Sequence, residues 1–295
     1  MGPLQQLKAS MHRRHPIATL FIYLTLVVGA MVMLFPLAWM VLTSLKTFPE
    51  VLQDPPAFLP TEVQWTNYGE VFTGFKFHRF LLNSMFVTAM SLGGTILSCC
   101  TAAYAFAFLR FRYRSLIFGL LLSSMMLPGQ VTVIPMFKLF VTLGWVDTFL
   151  PLVIPSWLGT NVFAIFLLRQ FFLTIPFSYI EAARLDGASE WRILWSLVVP
   201  MSWPIVVTVS LFTFLGSWND LFGPLIYLHS EELYTLPIGL LYFISQSSAM
   251  QGGAGNTPWH LVMALATVMV LPIIAIFFLV QKQFIAGLAQ GGAKG

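Results

Sequence analysis

Apolar residues in this chain come in long, unbroken runs. The alternating or every-third-or-fourth spacing of a water-soluble fold is missing. Six runs can be read, at about 17–44, 80–109, 116–137, 150–171, 203–228 and 261–280. Each is about 20 residues or longer, the length an α-helix needs to cross roughly 30 Å of hydrocarbon. Lipid cannot hydrogen-bond free backbone groups, so a spanning segment must be a helix or part of a closed barrel. A barrel would show alternating strands of about ten residues, which do not occur here. The pattern therefore predicts an all-α, polytopic membrane protein with six transmembrane helices. The first run follows Lys8, Arg13 and Arg14, as a signal peptide would. It is too long for a cleavable segment and lacks a clear small-residue cleavage site, so it reads as a span.

Composition agrees. Of 295 residues, 58% are hydrophobic and 9% charged, and the mean hydropathy is +0.82. A soluble domain of this size could not hide so much apolar surface. The net charge of +4 is modest and gives no sign of nucleic-acid binding. Its distribution says more. With the N-terminus in the cytoplasm, the outer segments keep Lys46, Lys76, Arg79 and Lys138, and the other lysines and arginines lie inside. That bias predicts both termini in the cytoplasm of a bacterial or archaeal cell membrane. The acids Glu50, Asp54, Glu62, Glu70, Asp147, Glu231 and Glu232 then face outward.

The expected layout is a cytoplasmic N-terminus at 1–16, a six-span domain at 17–282 and a cytoplasmic tail at 283–295. Within the domain, 46–79 and 229–260 are long outer loops and 174–202 is a cytoplasmic loop. Pro49, Pro55, Pro56 and Pro60 make the start of the first outer loop irregular.

Much chemistry is excluded. There is no phosphate-binding glycine loop ending in Gly-Lys, no H-E-x-x-H and no G-x-S-x-G. Cys99 and Cys100 are adjacent within an apolar run and suit neither a disulfide framework nor a zinc site. The histidines His12, His15, His78, His229 and His260 fall at span ends or in loops, where they read as interfacial or solvent-facing. No metal site and no cofactor bound by this chain are expected. Asp220 is the one carboxylate in a predicted span. An ion-coupled secondary carrier is the alternative reading, but it needs more ionisable groups or broken-helix ion sites at mid-membrane than one peripheral acid. If solute moves uphill, the energy enters through another subunit.

One polar stretch breaks the apolar pattern. EAARLDGASEWRILWSLVVP runs from Glu181 to Pro200, and Glu181, Arg184, Asp186, Glu190 and Arg192 are charged. Glu181, Ala182, Ala183, Gly187, Leu197, Val199 and Pro200 resemble the E-A-A-x-x-x-G-x9-I-x-L-P motif of importer-type ABC permeases, with Leu and Val replacing the two aliphatics. SWNDLFGPLIYL at 217–228, YTLPIGL at 234–240 and FLLRQFF at 166–172 look like segments of sugar permeases, and the tail is similar to the maltose-permease (MalG) type. The resemblance covers most of the chain, from about Phe35 onward.

It implies a type I ABC importer permease for a carbohydrate, itself non-catalytic. It also implies a second homologous permease subunit in a heterodimer and an extracytoplasmic sugar-binding protein. Two ABC ATPase subunits would use the ATP and Mg. In that family the motif forms two short helices that lie across the membrane surface and dock in a groove of the ATPase. Glu181, Ala182, Ala183, Asp186, Gly187 and Pro200 are thereby the candidate ATPase-coupling residues. Pro176 and Ser178 suit the helix start, and Gly187 permits the bend. Leu185, Trp191, Ile193 and Leu194 can supply apolar contact, and Glu181 can meet a basic residue across the interface. Residues 290–295 are expected to reach between the ATPase subunits.

A sugar path needs hydrogen-bonding and flat aromatic side chains between spans. Gln130, Asn161, Trp218 and Asn219 are the candidates. Pro128, Gly129 and Pro135 should kink the third span.

Overall fold

A computed structural model describes residues 16–73, 76–250 and 257–292, with side chains at 18–73, 76–249 and 257–281. Within these residues every regular element is helical. They are α1 (Pro16–Ser44), α2 (Phe48–Val51), α3 (Thr66–Thr73), α4 (Phe77–Phe108), α5 (Arg114–Ser124), α6 (Gly129–Thr142), α7 (Leu150–Trp157), α8 (Val162–Phe172) and α9 (Phe177–Leu185). Next come α10 (Glu190–Ile193), a π-turn (Leu194–Val198), α11 (Val199–Met201), α12 (Trp203–Trp218) and α13 (Phe222–Tyr227). A 3₁₀ turn (Glu231–Leu233), α14 (Leu236–Met250) and α15 (Trp259–Gly292) complete the order. Residues 1–15 of the expected N-terminal segment 1–16, and 293–295 of the expected tail, lie outside the described residues.

Four stretches are long and apolar enough to cross a membrane: Ala18–Ser44, Phe77–Phe108, Leu150–Phe172 and Trp259–Gln281. They match the first, second, fourth and sixth predicted runs. The other two runs differ from simple spans. The third is α5 and α6, meeting at 99°. The break falls at Met125–Pro128, where Pro128 lacks a backbone donor and biases Leu127 away from helical dihedrals. The kink expected from Pro128 and Gly129 is thus a sharp corner. The fifth run continues as helix only to Trp218, not to 228. Beyond it Asp220 accepts the backbone N–H of Gly223 (3.1 Å) and starts the separate turn α13.

The chain divides into two compact units, Met1–Val71 with Ser247–Val268, and Phe72–Gln246 with Met269–Gly295. In the first, Asn67 donates to the carbonyls of Ser44 and Lys46, each at 2.9 Å, and the Ser44 hydroxyl meets the Tyr68 hydroxyl at 2.7 Å. Buried Lys46 donates to Ala57 O at 2.5 Å and lies 4.6 Å from the Trp39 ring. Glu50 accepts the backbone N–H groups of Thr47 (2.9 Å) and Thr61 (2.8 Å). Hydrogen bonding from Thr61 and Thr47 lowers its pKa to about 2. The prolines therefore leave an irregular loop, as expected, and side chain-to-backbone bonds fix it. His260 departs from expectation. It is buried and lies 5.8 Å from the Phe48 ring rather than facing solvent.

The second unit is organised on α4, which packs against α7, α8 and α12. Its core runs through Cys99, Cys100, Ala103, Leu168, Phe172 and Val206. The two cysteines are the small buried helix residues their setting suggests. Gly94 is needed for packing, because a Cβ there would stand 2.5 Å from the Trp157 ring.

Candidate functional site

Residues 177–201 fold as two short helices joined by a tight turn. α9 ends in a Schellman arrangement: Ala188 N–H donates to Ala183 O and Gly187 N–H to Arg184 O, both at 3.0 Å. Gly187 has φ +77°, a value only glycine adopts without strain. A Cβ at that position would meet nothing within 4 Å, so the backbone angle alone explains the glycine. Ser189 then caps α10, accepting the N–H of Arg192 at 3.3 Å. At the other end Pro176 itself is the N-cap of α9, and Ser178 lies inside the first turn.

Pro200 sits in α11, just past the π-turn Leu194–Val198. Proline has no N–H and its ring clashes with the carbonyl four residues back. One wider turn, with Val199 N–H bonded to Leu194 O, accommodates it without ending the helix. The segment Glu190–Met201 then meets α12 at 87°. The second short helix is thus set crosswise to the span that follows.

Burial sorts the motif residues. On α9, Ile180 is fully buried, while Ser178, Glu181, Ala182 and Leu185 are exposed. Positions 178, 181, 182 and 185 share one helix face, and Leu185 at 89% exposure is its apolar tip. Asp186 and Gly187 are exposed beside it, and Ala183 packs against the core from the opposite side. Trp191 is exposed. Ile193 and Leu194, expected to face a partner or the membrane, are instead 1% exposed in this chain's own core. Pro200 is exposed but acts on backbone geometry.

An ion pair ties the two helices together. Arg184 Nε meets Glu190 Oε1 at 2.8 Å and a second guanidinium nitrogen meets Oε2 at 3.1 Å. The Tyr104 hydroxyl, from α4, donates to the same Oε2. Hydrogen bonding from Arg184 pulls the Glu190 carboxyl below its ordinary range. Both charges are plain in the sequence, but their pairing is not, and nothing in the spacing of Tyr104 points to it.

The four path candidates are not brought together. Asn161 lines a cleft of about 270 Å³ with Ser91, Thr95, Ser156, Thr213, Ser217 and Asp220. Its side-chain Oδ1 accepts Ala164 N–H at 3.1 Å as the cap of α8. The Thr213 hydroxyl there is buried and without a partner. Trp218 is buried, stacked on Phe214 at 5.5 Å, and its indole N–H donates to Met269 O at 3.1 Å. Asn219 is exposed and bonds back to Leu215 O at 2.9 Å. Gln130 is exposed on α6. Thr95 and Thr213 escaped the sequence reading because a hydroxyl in a span usually bonds its own helix backbone.

A two-helix loop set crosswise to a span, within a polytopic helical protein, is the arrangement that the motif's resemblance to importer permeases implied. Residues 94–290 match the family model for the binding-protein-dependent transport system inner membrane component. The chain belongs to that family. It is therefore a permease component of ABC importers, in which a separate subunit hydrolyses ATP, and it is not a secondary carrier. It is 31% identical over 288 residues to the sn-glycerol-3-phosphate transport system permease protein UgpE of Brucella abortus (strain 2308), covering 95% of this chain and 99% of that one. It is also 31% identical over 275 residues to the probable ABC transporter permease protein YurM of Bacillus subtilis (strain 168), covering 93% and 87%. A crystal structure of a bacterial ABC transporter involved in the import of the acidic polysaccharide alginate contains a chain that aligns with TM-score 0.80 at 26% identity, over 91% of this chain and 96% of that one.

Proposed function

We propose that this chain forms half of the path of an ATP-driven importer for a carbohydrate and receives its ATPase on α9. The observation that carries the docking role is the exposed stripe Ser178, Glu181, Ala182 and Leu185 beside the Gly187 turn. Small Ala182 lets a partner backbone approach, Leu185 offers an apolar knob for a groove, and Glu181 offers a charge to a basic residue. Asp186 and Gly187 present the tip of the turn. ATP and Mg belong to the two ATPase subunits in this reading. A second homologous permease covers the other side of the path, in a heterodimer. An extracytoplasmic sugar-binding protein delivers solute to the outer loops, and both termini lie in the cytoplasm.

The Asn161 cleft supports the substrate class. Its lining offers hydroxyls and an amide and holds no lysine or arginine, which suits the neutral hydroxyls of a sugar better than an anionic group. The relatives are named for transport of sn-glycerol 3-phosphate and for import of the acidic polysaccharide alginate, which supports a polyol or saccharide class, although both of those solutes carry the negative charge that this lining does not match.

Copurification of the whole transporter tests the docking role. Leu185→Asp together with Glu181→Lys should release the ATPase from an otherwise inserted permease, since neither side chain contributes to the core. Wild-type recovery of ATPase with that variant would refute it.

A further inference from the structure

Tyr104 is 3% exposed, one turn from the end of α4. Its hydroxyl bonds the same carboxylate oxygen that Arg184 bonds. Arg184 lies in the last turn of α9 and Glu190 is the first residue of α10, with Gly187 between them. One carboxylate thus gathers a bond across the turn and a bond from the span. The two-pronged arginine contact fixes the angle between the short helices. The tyrosine contact fixes the pair on α4. Phe108, one turn further along, lies 5.4 Å from the Tyr104 ring and 6.4 Å from Phe177 at the start of α9.

The other end of α4 is tied as well. Arg79 donates to Glu232 O at 3.1 Å, and Asn83 donates to Glu232 O at 2.8 Å and to Tyr234 O at 2.9 Å. Buried Ser84 accepts Leu236 N–H at 2.8 Å. These ties lie near the two ends of α4, which runs 32 residues without a proline, about 48 Å from end to end at the helical rise. The helix is continuous over that length, so it joins the two sets of ties directly.

We propose that Tyr104 is a positioning residue for transport. Its hydroxyl registers the 177–201 element on α4, so that displacement of the loop moves α4 and the outer segment 232–236 that α4 holds. This rests on the reading that 177–201 receives the ATPase. A purely packing role for the ring would be met equally well by phenylalanine.

The test uses the complete transporter in proteoliposomes, with solute uptake and ATP hydrolysis measured together. Tyr104→Phe should lower the solute moved per ATP at least about 5-fold, with normal ATPase copurification and unchanged KM for ATP. In the background of Glu190→Ala, the same change should add no further loss, because the hydroxyl then has no partner to lose. An unchanged transport-to-hydrolysis ratio would overturn the proposal. So would additive losses in the double variant, or a Tyr104→Phe complex that no longer assembles. Glu181→Lys with Leu185→Asp, measured alongside, separates the two claims. If that variant loses the ATPase while Tyr104→Phe behaves as wild type, only the Tyr104 role fails. If it keeps the ATPase, the docking reading itself fails.

Discussion

Two regions of this apolar chain are conspicuously polar, the loop at 181–200 and the stretch Ser217–Asp220 at the end of α12. They use their polar residues in opposite ways. In the loop, Arg184 and Glu190 satisfy each other and Tyr104, which leaves Glu181, Ala182 and Leu185 facing outward. At the end of α12 the polar groups are largely consumed by the fold. Trp218 bonds Met269 O, Asn219 bonds its own helix and Asp220 accepts the Gly223 N–H in the first turn of α13. A polar cluster in a span is therefore weak evidence of a solute site, because helices must also be joined and ended. Polar residues at fixed spacing around an obligatory glycine are stronger evidence, because the leftover face has no local task.

The largest effect that would sharpen this contrast lies in the loop. Gly187→Val places a β-branched residue at positive φ, a strain of about 1–3 kcal/mol, in a turn that orients both short helices. Uptake should fall at least about tenfold while membrane insertion persists. Normal uptake would mean that the turn geometry is dispensable.

Trp218→Ala should act on stability instead. Removing a stacked, buried indole and its hydrogen bond costs about 3–5 kcal/mol. Reduced yield and a lower melting temperature are expected, and the molecules that fold should keep an unchanged KM for solute. A changed KM with wild-type stability would return Trp218 to the path.

Asn161 sits between these cases, since it both caps α8 and lines the cleft. Asn161→Asp retains the cap acceptor, whereas Asn161→Ala loses about 1 kcal/mol of capping. If the cleft carries solute, both should raise the KM for uptake several-fold. An effect confined to Asn161→Ala would make the residue a cap alone.

The smallest effect concerns the clip that Asp147 makes on the 228–232 segment. Asp147 accepts the N–H groups of His229 and Ser230, each at 2.9 Å, and the Ser230 hydroxyl at 2.5 Å. Hydrogen bonding from Ser230 lowers its pKa to about 2 from an ordinary 3.8. Because the folded pKa is depressed, the clip is fully present above the unfolded value. It weakens as pH falls from about 4 toward 2. Proteolysis within 228–232 should accelerate over that window, and Asp147→Asn should show the faster cleavage already at neutral pH. Identical cleavage profiles for the two proteins would show that the clip does not hold this loop.

How much was legible follows from the kind of signal each feature leaves. Run length located four spans, because hydrocarbon thickness sets it. It could not show the 99° corner at Met125–Pro128, since hydropathy passes smoothly through a bend. The loop motif was legible because Gly187 and Pro200 mark backbone geometry directly. Ile193 and Leu194 were misread as partner contacts because apolar character does not say which side a helix buries. Tyr104 left no trace, as it meets Glu190 from 86 residues away. The polar lining of the cleft was hidden for a similar reason, being assembled from separate helices.

The most direct test of the docking face places a photo-reactive residue at Leu185 and, separately, at Ile180 in the complete transporter. Leu185 is 89% exposed and Ile180 is fully buried one turn away on the opposite side. Illumination should join the permease to the ATPase subunit from position 185 and not from position 180. No adduct from 185, or equal adducts from both, would contradict the assignment of this face to the ATPase.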